Sequence, residues 1–135
     1  METLTFLSKH SYVHSKTGIE VPITLSAGQS RSVRLLAKVD TGADFCIFQR
    51  DYADELGIEV ETGIHQVIGT AAGSFDAYGH RVTLACLNWE FDSTVYFAAP
   101  AGFPRNVVGR SGWLHHFRLG LIDHDSLLLL SHHDD

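Results

Sequence analysis

The amino-acid sequence predicts an all-β domain, closed on itself or built as a sandwich. Short apolar runs recur along the chain, the clearest of them alternating with period two. Clusters of Gly, Asn, Asp and Ser separate these runs, and little of the chain carries helical periodicity.

Taken in order, Val21 to Leu25 reads as a strand followed by a turn at Ala27-Gly28-Gln29-Ser30. Val33 to Val39 is a stronger strand, with Val33, Leu35, Ala37 and Val39 on one face and Arg34 and Lys38 on the other. Cys46-Ile47-Phe48 is a short apolar strand. Asp51 to Leu56 predicts one or two helical turns, with Asp51 capping the start and Gly57 closing the end in a left-handed conformation. Gln66-Val67-Ile68 and Ser74 to Tyr78 flank Gly69-Thr70-Ala71-Ala72-Gly73, the pattern of a hairpin around a small-residue loop. Arg81 to Leu87 and Ser93 to Ala98 are further strands, with Asn88 near the turn. Ser111 to Phe117 predicts a short helix with Trp113 as a core anchor. Leu119 to Ile122 and Leu127 to Leu130 form a last pair around Asp123 to Ser126. The unbroken run Leu127 to Leu130 suits a strand buried on both faces, inside the subunit or at a contact between copies.

The chain has 135 residues, 44% hydrophobic and 19% charged, enough for one domain (1–135) with a sizeable core. A net charge of −6 weighs against nucleic acid or an anionic membrane surface as partner. No run reaches the roughly 18 apolar residues of a membrane span. Met1 to Leu7 lacks the basic-then-apolar order of a signal peptide. Cys46 and Cys86 lie in apolar runs and read as buried thiols of a reducing compartment, so a cytoplasmic location is expected.

The stretch most informative about chemistry is Val39-Asp40-Thr41-Gly42-Ala43-Asp44. An apolar strand delivers the Asp40 carboxylate into a loop. Gly42 permits close backbone approach to a ligand, and Thr41 offers a hydroxyl to a neighbouring copy of the loop. Alone the tripeptide says little, because any given one arises by chance in about 2–3% of chains this long, and an ordinary β-turn would explain it. About 65 residues later stands Asn106-Val107-Val108-Gly109-Arg110.

With these motifs in this order, and Ile68-Gly69-Thr70-Ala71-Ala72-Gly73 between them, the sequence resembles the retropepsin family of single-domain aspartic proteases over about residues 20–130. The cellular and bacterial branch is the nearer, because Arg50 to Ile64 is longer and more helical than in the compact viral enzymes. The resemblance implies a closed acid-protease-type barrel with a flap hairpin and one short C-terminal helix, acting as a homodimer. It implies an endopeptidase for peptide or protein substrates, with no cofactor and no metal. Asp40 would be the catalytic residue, supported by Thr41, Gly42 and Ala43. Thr41 would lock the two loops of the dimer, and Gly42 would offer its carbonyl to substrate. Ile68 to Gly73 would form the flap, less glycine-dense here than in viral relatives. Asp44, beside the substrate, would pair with Arg110 to brace the loop.

The chemistry needs two carboxylates within hydrogen-bond reach, sharing one proton, with a water between them. One chain supplies one such aspartate, so two copies are required. Two rivals remain: a dimeric peptide-binding or assembly module of this fold without catalysis, and a metal-binding β domain. Among nine histidines, His115-His116 and His132-His133-Asp134-Asp135 invite the second, but none sits in a zinc-type frame with cysteines. Solvated surface histidines are expected.

Overall fold

The computed structural model describes residues 1–14, 18–28 and 30–135, so the predicted turn at 27–30 falls partly, at Gln29, outside the described residues. Strands are numbered along the chain. The first is β1 (Ser8–Ser11), followed by β2 (Glu20–Ala27), β3 (Arg31–Val39) and β4 (Ile47–Phe48). Helix α1 (Arg50–Leu56) precedes β5 (Ile64–Thr70), β6 (Gly73–Cys86) and β7 (Trp89–Ala98). The chain ends in β8 (Val107–Val108), β9 (Phe117–Ile122) and β10 (Leu127–His132).

The alternation read in β3 holds: Val33, Leu35 and Ala37 are buried, while Arg34, Leu36 and Lys38 face out. From β3 the sheet runs in both directions until it closes. One side of β3 pairs antiparallel with β2 and the other parallel with β8. The chain of pairings continues through β4, β7 and β6. β6 then returns to β2 through Thr24↔Ala85 to Ser26↔Thr83. Its length makes closure possible. Its first half pairs with β5 and its second with β2, so one 14-residue strand serves both hairpin and barrel. What the sequence divides into two strands, Ser74 to Tyr78 and Arg81 to Leu87, is this single strand. A separate sheet, β1-β10-β9, lies alongside.

The core gathers the inward faces of both sheets, with Trp113, Phe48, Phe97, Ile23, Leu25, Leu84, Leu128 and Leu130 fully buried. Deep burial of Trp113 agrees with its expected role. Its indole N–H finds no oxygen or nitrogen acceptor and lies by the Cys86 thiol. Burial pushes the Cys46 thiol up to about 12 and the Cys86 thiol to about 11, so neither is a thiolate at neutral pH. Both cysteines are free, as expected of structural thiols. Among the described residues no helix is long and apolar enough to cross a membrane.

Three local expectations change. Helix α1 starts at Arg50, so Gln49, not Asp51, is the N-cap. The Gln49 side chain accepts a hydrogen bond from Asn106 Nδ2 at 2.9 Å instead of capping, and Asp51 sits in the first turn, where its charge suits the helix dipole. Gly57 does close the helix, at φ 75°. The helix expected over Ser111 to Phe117 is a single 3-10 turn, Leu114–His116. Gly112 adopts φ 95° and Trp113 φ −141°, which stop a longer helix. Finally, Leu128 and Leu130 are fully buried but Leu127 and Leu129 only half so. The subunit covers one face of that strand completely, and Phe6 lies over Gly120, the pairing partner of Leu129, on the other.

Candidate active site

Two backbone segments cross beneath the site. Asp40 follows directly on β3, which runs beside β8 in register Lys38↔Val107 and Val39↔Val108. That ladder continues past the strand end: the Asp40 N–H donates to the Val108 carbonyl at 3.0 Å. The Arg110 N–H donates to Ala43 at 2.9 Å and the Ser111 N–H to Asp44 at 2.8 Å. The two sequence motifs are thus laced together by main-chain hydrogen bonds. At Gly109 the approach is so close that a side chain has no room, because the carbonyl oxygens of Ala43 and Phe45 occupy the place a Cβ would need. Asn106 adds a further tie, accepting from the Gln49 N–H at 2.9 Å.

The Asp40 carboxylate is oriented by its own loop. Its Oδ1 accepts from the Gly42 N–H at 3.0 Å, and the Ala43 N–H donates to the Asp40 carbonyl at 3.2 Å, making a tight turn. Asp40 is half-buried, while Thr41 and Gly42 are exposed. An exposed Thr41 hydroxyl beside a half-buried carboxylate leaves this face of the loop open to a partner.

Asp40, Gly42, Ala43 and Asp44 line a cleft of about 690 Å³. Its other wall is the β5–β6 hairpin, from Gln66 to Ala72 with Phe75. The Thr70↔Gly73 pair frames a two-residue turn at Ala71-Ala72, and Thr70 Oγ1 donates to the Gly73 carbonyl at 2.9 Å. Gly73 needs its glycine, since its φ is 133°. Below the tip, Ile68 and Phe75 pack with Phe45, Ile47, Tyr96 and Phe103 in a second apolar cluster. The Phe75 and Phe103 rings stand 4.6 Å apart and those of Phe45 and Tyr96 4.7 Å. The hairpin is thereby anchored to the loops opposite while its tip stays exposed.

The structure thus brings together around one cleft the residues selected from sequence: Asp40, Gly42, Ala43, Asp44 and Ile68 to Ala72. Gly73 closes the hairpin turn, and Thr41 is exposed and not among the cleft-lining residues. Sequence reasoning missed Phe45, Ile47, Phe75, Phe103, Pro104, Arg105 and Val107, which also line the cleft. Arg105 is the one cation among the lining residues, set against two carboxylates. Its place just ahead of Asn106-Val107-Val108-Gly109 was the available signal.

The expected Asp44–Arg110 ion pair is not formed. Both side chains border one hollow and both are exposed, and the ion pairs among the described residues lie elsewhere. Hydrogen bonds from the main chain brace the loop instead. An energy of several kcal/mol presupposes burial, which is absent here, so Arg110→Ala should cost a single chain no more than about 1 kcal/mol. Urea midpoints measured at dilutions where the chain is monomeric test this. A loss of several kcal/mol would refute it.

A family model described as aspartyl protease matches residues 21–123 of the chain. Comparison with curated proteins returns no match. Among solved structures, the fold is similar to that of a retropepsin-like aspartic protease from Rickettsia conorii. The TM-score is 0.66 at 20% identity, covering 93% of this chain and 99% of that one. It is also similar to EIAV protease complexed with the inhibitor HBY-793, with a TM-score of 0.55 at 17% identity, covering 73% of this chain and 88% of the other. At these identities the structural likeness establishes the fold, a retropepsin-like one.

Proposed function

The chain belongs to the aspartyl protease family, and from this premise we propose that it is an endopeptidase whose active site is completed by a second copy of itself. One observation carries the reading. Asp40 stands at the end of strand β3, with its carboxylate held by the Gly42 N–H at the wall of a cleft of about 690 Å³ whose opposite wall is the β5–β6 hairpin. The exposed side of the same loop suits a two-fold contact through Thr41.

In such a dimer two Asp40 carboxylates meet across the axis. Like charges at this distance oppose full ionisation, so the pair holds one proton between them. The ionised member takes a proton from a bound water, which attacks the scissile carbonyl. The protonated member hydrogen-bonds to that carbonyl oxygen as its negative charge develops. Because the active form carries one proton, rate against pH is bell-shaped. Gly42 offers its carbonyl to the substrate backbone, and the Gly69 to Gly73 hairpin closes over the peptide as a flap. Apolar walls from Phe45, Ile47, Phe75 and Phe103 exclude water and take apolar side chains.

Dimerisation tests the reading directly. Hydrolysis of an unfolded test protein should show specific activity that falls on dilution, in step with dissociation seen by sedimentation. A strictly monomeric chain with undiminished activity would exclude the shared dyad.

A further inference from the structure

At the end of β10, on residues that take no part in the cleft, three metal-ligating side chains converge. One ligand atom from each of His132, His133 and Asp134 lies within 4.8 Å of the others. An Asp134 oxygen stands 2.9 Å from His133 Nδ1, and the other oxygen 4.0 Å from His132 Nδ1. The two imidazole centroids are 4.4 Å apart. Donors around a tetrahedral ion with bonds of about 2.0–2.1 Å lie roughly 3.4 Å from one another. The three groups are therefore near enough for one ion once their separations adjust by up to about 1.4 Å, which side-chain rotation can supply.

Their backbone is already fixed. His132 is in register with Phe117, and its N–H donates to Asp135 Oδ2 at 3.0 Å. The His133 N–H donates to the His116 carbonyl at 2.9 Å, and the Asp135 N–H to the His132 carbonyl at 3.1 Å. His132 Nδ1 accepts from the Asp134 N–H at 3.3 Å, so the turn holds this nitrogen facing Asp134. A bond that long is weak and easily exchanged for a metal. His133 and Asp134 are exposed and His132 half-buried, which leaves the entry path open.

We infer that His132, His133 and Asp134 form a binding site for a divalent transition-metal cation of the zinc, nickel and copper group, with solvent completing the coordination. Two imidazoles and a single carboxylate select zinc, nickel or copper over calcium and magnesium, which require more oxygen donors. No cysteine is needed, and the protease chemistry is not involved. The His133 N–H is bonded to the His116 carbonyl, so the site lies beside the 3-10 turn Leu114–His116.

Zinc alone, titrated into the full chain by calorimetry, tests the inference, with cobalt(II) absorption as a report of tetrahedral geometry. The wild-type chain should bind one equivalent. The double variant His132→Ala with His133→Ala should lose that equivalent, and Asp134→Asn should bind about tenfold more weakly or worse, since groups that merely orient ligands already contribute roughly 10–100-fold. His133 and Asp134 are exposed and His132 only half-buried, so metal-free melting should change little in both variants, which separates loss of the site from loss of the fold. Asp40→Asn should bind zinc like the wild type. Equal zinc affinity in the wild type and the double variant, or selective binding of calcium, would overturn the assignment.

Discussion

Asp40→Asn is expected to lower the rate of peptide hydrolysis by roughly 10²–10⁴-fold, the range that positioned acid–base groups contribute, equivalent to about 3–5 kcal/mol of transition-state stabilisation. The substitution is nearly isosteric and leaves the fold intact. An amide oxygen at Oδ1 still accepts from the Gly42 N–H, and the Asp40 main-chain bonds to Val108 and Ala43 do not involve the side chain. It removes the one function a carboxylamide cannot supply, which is to accept a proton from water. In a homodimer both members of the dyad change together, so no ionised partner remains. Melting temperature and the dimer's sedimentation should therefore stay near the wild-type values while hydrolysis falls by this factor at every pH from 3 to 9. Activity of Asp40→Asn within tenfold of the wild type would exclude the aspartic mechanism. If the wild-type chain binds peptides without cleaving them, the non-catalytic binding module is the correct reading.

Gly109→Ala should have the largest effect on folding. An added Cβ would stand 2.6 Å from the Ala43 carbonyl oxygen and closer still to that of Phe45. Both obstacles are backbone, so no rotamer change relieves them. Each belongs to the segment bonded to the 107–111 stretch through Arg110, Ser111 and the Phe45↔Ser111 bridge. Room can come only from separating the two segments, which breaks the hydrogen bonds that seat Asp40. Overpacking a tight site typically costs 1–3 kcal/mol, and with rigid backbone on both sides about 3 kcal/mol or more is expected here. At a total stability of about 5–15 kcal/mol that is a large fraction. Denaturant midpoints should fall clearly, and activity per folded molecule should drop as the loop shifts. By contrast Gly69→Ala should be nearly neutral for folding, since nothing lies within 4 Å of its added Cβ. Equal stability of Gly109→Ala and wild type would show that the crossing is looser than its geometry.

The contrast between these glycines marks the limit of the sequence. The motifs Asp40-Thr41-Gly42 and Val107-Val108-Gly109 were recognisable because each residue type answers a local demand: a carboxylate at a strand end, a glycine where nothing larger fits. That β3 would alternate, that Gly57 would close a helix and that a hairpin would turn within Gly69 to Gly73 were likewise legible, since these depend on neighbours in the chain; that the strands run on to Thr70 and Gly73 and leave only Ala71-Ala72 as the turn was not. β1 was missed because Ser8 to Ser11 has no apolar pattern of its own, and it becomes a strand only by pairing with Leu127 to Leu130. β8 is two residues long and has meaning only between β3 and β4.

The sequence by itself determined the all-β class, the catalytic candidate and the hairpin opposite it. Only the tertiary structure decided how the sheet closes, because β6 serves β5 and β2 through backbone bonds that carry no side-chain signature. Tertiary placement also decided which side chains line the cleft, drawing Phe45, Phe75, Phe103 and Arg105 from three separate segments. The absence of the Asp44–Arg110 ion pair follows from the same cause. Opposite charges on two motifs that meet do not specify a contact, and here main-chain hydrogen bonds brace the loop while both side chains are exposed.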